Sequence, residues 1–215
     1  MERYDFELVK KMQACDTLLN KQIVQKGDTF IYIGTMTENG SFYKEYLPSP
    51  AFFIILKTFY PDGMLRVKGK RMGRHLRIGV WQFYDKRGNL IKEVDEDAKF
   101  GVIKPEHILK FLDKKGHINL ETGEGRPHIV FSDKGQPYYA DDYKLTIVFV
   151  PQKGAEETPN SIDFISEDRK REYPYFSVTV SGDPSNGYQR TYYMIHGETG
   201  KILEKTVDTD PGYYI

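Results

Sequence analysis

Residues 59–94 read FYPDGMLRVKGKRMGRHLRIGVWQFYDKRGNLIKEV, and the stretch nearly says the same thing twice. Phe59-Tyr60 leads into Pro61-Asp62-Gly63 and leaves through Leu65; Phe83-Tyr84 leads into Asp85-Lys86-Arg87-Gly88 and leaves through Leu90. The aromatic pairs stand 24 residues apart, with one extra residue in the second turn. Glycine-bearing turns between aromatic or β-branched runs signal hairpins, and self-similarity at a fixed spacing marks a repeat. In the first unit Leu65 and Val67 alternate with Arg66, Lys68 and Lys70, so a strand there shows one apolar face and one row of cations. In the second, Trp81 and Phe83 share a side while Ile78, Val80 and Tyr84 take the other, which predicts burial on both faces. Such a hairpin cannot bury its own apolar face, so neighbours must pair beside it.

Outward from this stretch, the same texture continues upstream. TFIYIGTM, Asn39-Gly40 and SFYKEY read as a hairpin with strands at about 29–36 and 41–46, because Asn-Gly tolerates the positive φ that a tight turn needs. The run 51–60, AFFIILKTFY, is apolar on both faces and predicts a central strand. Before it, Leu8, Val9, Met12, Cys15, Leu19 and Ile23 recur at spacings of three and four, the stripe of an amphipathic helix. Cys15 belongs to that stripe as a small buried hydrophobe. Downstream, Pro105 opens a helical pattern carried by Ile108, Leu109, Phe111 and Leu112, and Gly116 after two lysines stops it, giving a helix over 105–115. HIVFS, YKLTIVFV, PYFSVTVSG, QRTYYMIHG and GKILEKTV then read as strands, with 154–172 a long polar loop. The reading is α+β: an N-terminal helix and an antiparallel meander of hairpins over 1–100, then a helix packed on an antiparallel sheet over 101–215.

Gly63, Leu65, Gly69, Gly79, Trp81, Tyr84, Gly88 and Leu90 stand where the variant MORN repeat carries its glycines, leucines and aromatics. Over about 36 of the 215 residues the chain therefore resembles that repeat, whose proteins are grouped with the YwqK-like antitoxin family. The tail YYMIHGETGKILEK, residues 192–205, is similar to the closing hairpin of PepSY-like domains, where a strand enters a glycine-bracketed turn and returns through an aliphatic pair. Together the resemblances imply a bacterial interaction or inhibitory protein rather than an enzyme.

Composition bounds the alternatives. The net charge is zero, yet residues 1–120 carry 21 Lys and Arg against 15 Asp and Glu, and residues 121–215 carry 10 against 16. A single cysteine excludes an internal disulfide and any multi-cysteine metal centre. No apolar run approaches the roughly 20 residues of a membrane span, and the first residues lack a secretory apolar stretch. The default compartment is the cytoplasm, with the periplasm or envelope if a leader precedes Met1.

The residues offer little poised chemistry. His75, His107, His117, His128 and His196 lack metal-pair spacing, and no Gly-x-Ser-x-Gly occurs. The pairs at Asp141-Asp142 and Glu156-Glu157 sit in polar, solvated surroundings where a carboxylate keeps its ordinary acidity. No catalytic residue, metal or cofactor is predicted. The expected function is protein binding, concretely an immunity or antitoxin-type protein that occludes a toxin. Its partner-binding residues are Tyr138, Tyr139, Asp141, Asp142, Glu156 and Glu157, with rings as anchors and carboxylates steering a cationic partner. A second reading is nucleic-acid binding: residues 57–92 hold 10 Lys and Arg against 2 Asp and Glu, interleaved with five aromatics, and Arg66, Lys68 and Lys70 would track a phosphate backbone. A third is a cell-envelope scaffold.

Overall fold

The structure, a computed structural model, describes residues 2–13, 22–73, 75–133, 137–141, 145–155, 169–181 and 189–208. Among the described residues thirteen strands, accompanied by two α-helices, form three antiparallel sheets: a seven-stranded meander in the order β1 to β7, a four-stranded meander β10 to β13, and the pair β8–β9. The strands of the first are β1 (Ile23–Lys26), β2 (Thr29–Ile33), β3 (Ser41–Tyr46), β4 (Phe53–Phe59), β5 (Leu65–Met72), β6 (Leu76–Tyr84) and β7 (Leu90–Asp95). The pair is β8 (His128–Phe131) and β9 (Pro137–Asp141). The four-stranded sheet holds β10 (Leu145–Val150), β11 (Tyr175–Ser181), β12 (Arg190–His196) and β13 (Ile202–Asp208). The helices are α1 (Phe6–Gln13) and α2 (Pro105–Lys114). The fold is thus mostly β with little helix.

The chain divides into two compact units. One comprises Met1–Arg71, Arg77–Glu96 and Pro127–Asp141; the other Met72–Leu76, Asp97–Arg126 and Asp142–Ile215.

In the first unit the meander follows from alternation. Register places Ile33 opposite Tyr43 and Tyr43 opposite Lys57, so Ile31, Ile33, Tyr43 and Phe59 share one face. They form one apolar cluster with Tyr4 and Leu65, against which Leu8 and Val9 of α1 pack. Tyr46 lies opposite Ile54 on the other face, where both cluster with Ile23 and with Ile129 of β8. Strands β1 to β5 therefore carry a buried cluster on each face within the unit. Asp5 caps α1, its Oδ1 accepting the Leu8 N–H at 2.8 Å. Tyr4 ties the segment down through its N–H to the Gly63 carbonyl and its hydroxyl to the Gly34 carbonyl. Ile23, expected at the end of the helical stripe, instead opens β1 opposite Tyr32, where strand pairing outweighs helical spacing.

The repeated turns close alike. The Tyr60 N–H donates to the Met64 carbonyl at 2.8 Å and the Gly63 N–H to the Tyr60 carbonyl at 2.9 Å. One repeat later the Asp85 N–H donates to the Asn89 carbonyl at 3.0 Å and the Gly88 N–H to the Asp85 carbonyl at 2.9 Å. Gly63 and Gly88 carry φ of 82° and 84°. The aromatic pairs recur after 24 residues, but the closed turns superimpose Tyr60 on Asp85, one residue more. The extra residue thus belongs to the strands, where the β6–β7 register shifts between Phe83 and Tyr84, and not to the turn. Trp81, 1% exposed, lies flat on the backbone of β5: a Cβ at Gly69 would stand 2.2 Å from its ring, and its Nε1–H donates to the Lys70 carbonyl at 3.0 Å. Only glycine leaves room for that indole. Val80 is 53% exposed, so the expected burial of β6 on both faces holds on the Trp81 side and fails on the Val80 side.

In the second unit one sheet face is aligned by register. Phe149 lies opposite Phe176, which lies opposite Ile195; Ile147 lies opposite Val178, which lies opposite Tyr193. This face buries Phe100 against Phe149 and Phe176, with ring centroids 5.1 and 5.7 Å away, and packs Phe111 of α2 edge-on to Tyr193 at 5.1 Å. Ile108, Leu109 and Leu112 supply the buried stripe of α2.

Candidate functional site

Three regions of the described surface carry features that ordinary packing leaves unused. The first is the open end of the seven-stranded sheet. β7 is its terminal strand among the described residues, and Leu90 and Ile91 at its start stand 49% and 64% exposed; Val80 of β6, also exposed, lies opposite Asp95 at the other end of the strand. The register shift near Phe83 leaves Ile91 unpaired between Lys92 and Leu90 and turns it outward. An edge strand offers its outer N–H and C=O groups to any chain that pairs with it.

The second is the cationic row of β5. Lys68 Nζ meets Glu2 Oε1 at 3.2 Å, and Glu2 also holds Lys57, which lies 2.5 Å from Glu45 Oε1. Burial pulls the Lys57 ammonium down, and the hydrogen bond and charge of Glu45 together with Glu2 more than offset it, so its pKa ends above the ordinary value. For Glu2, burial raises the carboxyl, but Lys57 and Lys68 prevail and hold it below its usual range. Arg66 leans over the Tyr60 ring, its Nε 3.4 Å from Thr58 Oγ1. Lys70 is exposed and sits 4.9 Å from the Phe53 ring centroid. Of the three cations expected to track a phosphate backbone, Lys68 is thus engaged by a carboxylate and Arg66 by a ring and a hydroxyl.

The third is a cluster where α2 ends above the four-stranded sheet. Gly116, at φ 72°, lets the helix close with two crossed bonds: the Gly116 N–H donates to the Asp113 carbonyl at 2.9 Å and the His117 N–H to the Leu112 carbonyl at 3.0 Å. This Schellman closure returns the chain toward the sheet and aims His117 at Tyr193. Nε2 of His117 lies 2.7 Å from the Tyr193 hydroxyl, and the rings meet edge-on at 5.6 Å. Lys205, directly opposite Tyr193 on β13, stands 5.8 Å from the tyrosine centroid, and Lys115 stands 5.9 Å from that of Phe111. Burial lowers the His117 pKa, and the positive charges of Lys205 and Lys115 lower it further. Burial raises the Tyr193 phenol. Neutral imidazole and neutral phenol are therefore the resting pair.

Of the residues expected to bind a partner, Tyr138, Tyr139 and Asp141 lie on β9, paired with β8, where the sequence suggested an acidic loop; Asp142, Glu156 and Glu157 fall outside the described residues, as does Cys15. The other histidines have local tasks: His107 Nδ1 accepts the Lys104 N–H at the start of α2, and His196 stacks on Tyr173 at 4.8 Å. His128 sits on β8 in the first unit and His196 on β12 in the second. The His117–Tyr193 contact joins residues 76 positions apart, and only Gly116 hinted at one half of it. Among the described residues no helix is long and apolar enough to cross a membrane. No family model matches the chain, and no curated protein or solved structure matches it.

Proposed function

We propose that this chain is a non-catalytic protein-binding protein, of the immunity or antitoxin type that neutralises a toxin by occluding it. The observation that carries the reading is the β7 end of the seven-stranded sheet, where the exposed side chains of Leu90 and Ile91 sit on a strand that has no neighbour on its outer side among the described residues. Exposed apolar side chains on a terminal strand suit a partner that adds a strand. A second copy fits poorly: pairing two β7 strands antiparallel about their middle sets Lys92 against Lys92 or Glu93 against Glu93, and like charges directly opposite destabilise. The partner is therefore a different protein. In this reading Tyr138, Tyr139 and Asp141, with Asp142, Glu156 and Glu157, steer a cationic one. The MORN-like, YwqK-like and PepSY-like resemblances support the same proposal.

The test is capture from cells of the native host with the wild-type chain, the Leu90→Glu/Ile91→Glu variant and the Arg66→Glu/Lys68→Glu/Lys70→Glu variant. The expected outcome is one stoichiometric protein, insensitive to nuclease, retained by the β5 variant and lost by the β7 variant. Loss in the β5 variant together with nuclease sensitivity would establish the nucleic-acid reading instead. Recovery of no secreted effector or neighbour-encoded toxin would count against occlusion.

A further inference from the structure

We propose that the cluster formed by His117, Tyr193, Lys115 and Lys205 in the second unit binds a phosphoryl group, as free phosphate or as a phosphate monoester. Three elements converge there: the C-terminal cap of α2 brings Lys115, the turn after it brings His117, and β13 brings Lys205 directly opposite Tyr193. The imidazole and the phenol already share a hydrogen bond at 2.7 Å, and both ammonium groups stand near 6 Å from the adjoining ring centroids, at 5.8 and 5.9 Å. Among the described residues neither lysine has a carboxylate within ion-pair distance.

The nearby acids point elsewhere. Asp113 Oδ1 accepts the Leu120 N–H at 2.9 Å, and Glu204 lies opposite Met194, on the sheet face away from Lys205 and Tyr193. Two cations beside an imidazole are unfavourable unless an anion joins them, because each raises the cost of its protonation. A phosphoryl group carries about −1.5 to −2 charge at pH 7 and three acceptor oxygens, enough for two ammoniums and one imidazole; a carboxylate has two oxygens and one charge. The last carbonyls of α2, which would repel an anion, are closed by the Gly116 and His117 N–H groups. Phe111 gives the site an aromatic wall that an ester substituent could cover.

The experiment follows the His117 imidazole by NMR in the full chain during titration with inorganic phosphate, with phenyl phosphate, and with sodium chloride at matched ionic strength. Phosphate is expected to move the His117 resonances saturably and to raise its titration midpoint, whereas chloride leaves the resonances unsaturated. Lys115→Glu/Lys205→Glu, both at exposed positions, should weaken phosphate binding about tenfold or more, with the amide shifts of β10 to β13 preserved. Tighter binding of phenyl phosphate identifies a monoester ligand; equal binding identifies free phosphate. The same response to chloride as to phosphate, or an equal response in the wild type and the double variant, would overturn the site.

Discussion

In the seven-stranded sheet Lys57 and Lys68 are met by the carboxylates of Glu45 and Glu2, whereas beside the four-stranded sheet Lys115 and Lys205 stand over aromatic rings with no acid in reach among the described residues. The first arrangement pairs Lys57 and Lys68 internally, and its terminal strand exposes Leu90 and Ile91 beside Lys92 and Glu93. The second leaves positive charge unspent around a hydrogen-bonded imidazole and phenol. In the proposed reading one sheet takes a partner strand and the other an anion, although both are antiparallel meanders. The difference is set by a handful of side chains on similar backbones.

The largest effect is expected at the packing of Trp81 on β5 in the first sheet. Trp81→Ala removes a ring only 1% exposed and should cost about 3–5 kcal/mol, read as a lower thermal midpoint by circular dichroism. Gly69→Ala attacks the same contact from the other side, since its Cβ would lie 2.2 Å from the indole; about 1–3 kcal/mol is expected, and a silent substitution would show that the indole moves freely. Lys57→Ala strands Glu45, whose side chain is 14% exposed, and should cost about 1–3 kcal/mol in urea unfolding, relieved in part by a second change, Glu45→Gln.

The remaining two sharpen the contrast between paired and unpaired charge. His117 resists protonation in the folded chain, so the unfolded chain binds the extra proton. Stability should be full above the ordinary imidazole value of about 6.5, fall as the pH drops through it, and level off below the depressed folded value. His117→Asn should flatten that dependence in urea unfolding followed across the range. Glu2→Gln, at a half-exposed acid, should change stability by at most about 1 kcal/mol, the smallest effect, while lowering the Lys57 titration midpoint in NMR.

Much of the fold was legible because strands and turns announce themselves locally. Asn39-Gly40, the repeated Gly63 and Gly88, and Pro105 followed by Gly116 marked elements that the structure contains. Misreadings arose where tertiary pairing decides. Ile23 keeps helical spacing but joins β1, and Tyr138, Tyr139 and Asp141 looked like a solvated loop beside a second acid, yet pair with β8. The repeat was visible, but its length was misjudged by one residue because rings are easier to align than turns. The cluster at Tyr193 was not legible. Its members belong to a helix end and two strands far apart in sequence, and each has an ordinary local reason to be where it is.

The contrast between spent and unspent charge is tested most directly by the NMR titration midpoint of the His117 imidazole in the free protein at low salt. The account predicts a midpoint below the ordinary value, rising toward it when Lys205 is changed to alanine and again when Lys115 is changed as well. A midpoint at or above the ordinary value, unmoved by either substitution, would mean that unrecognised acids already neutralise the cluster and would contradict it.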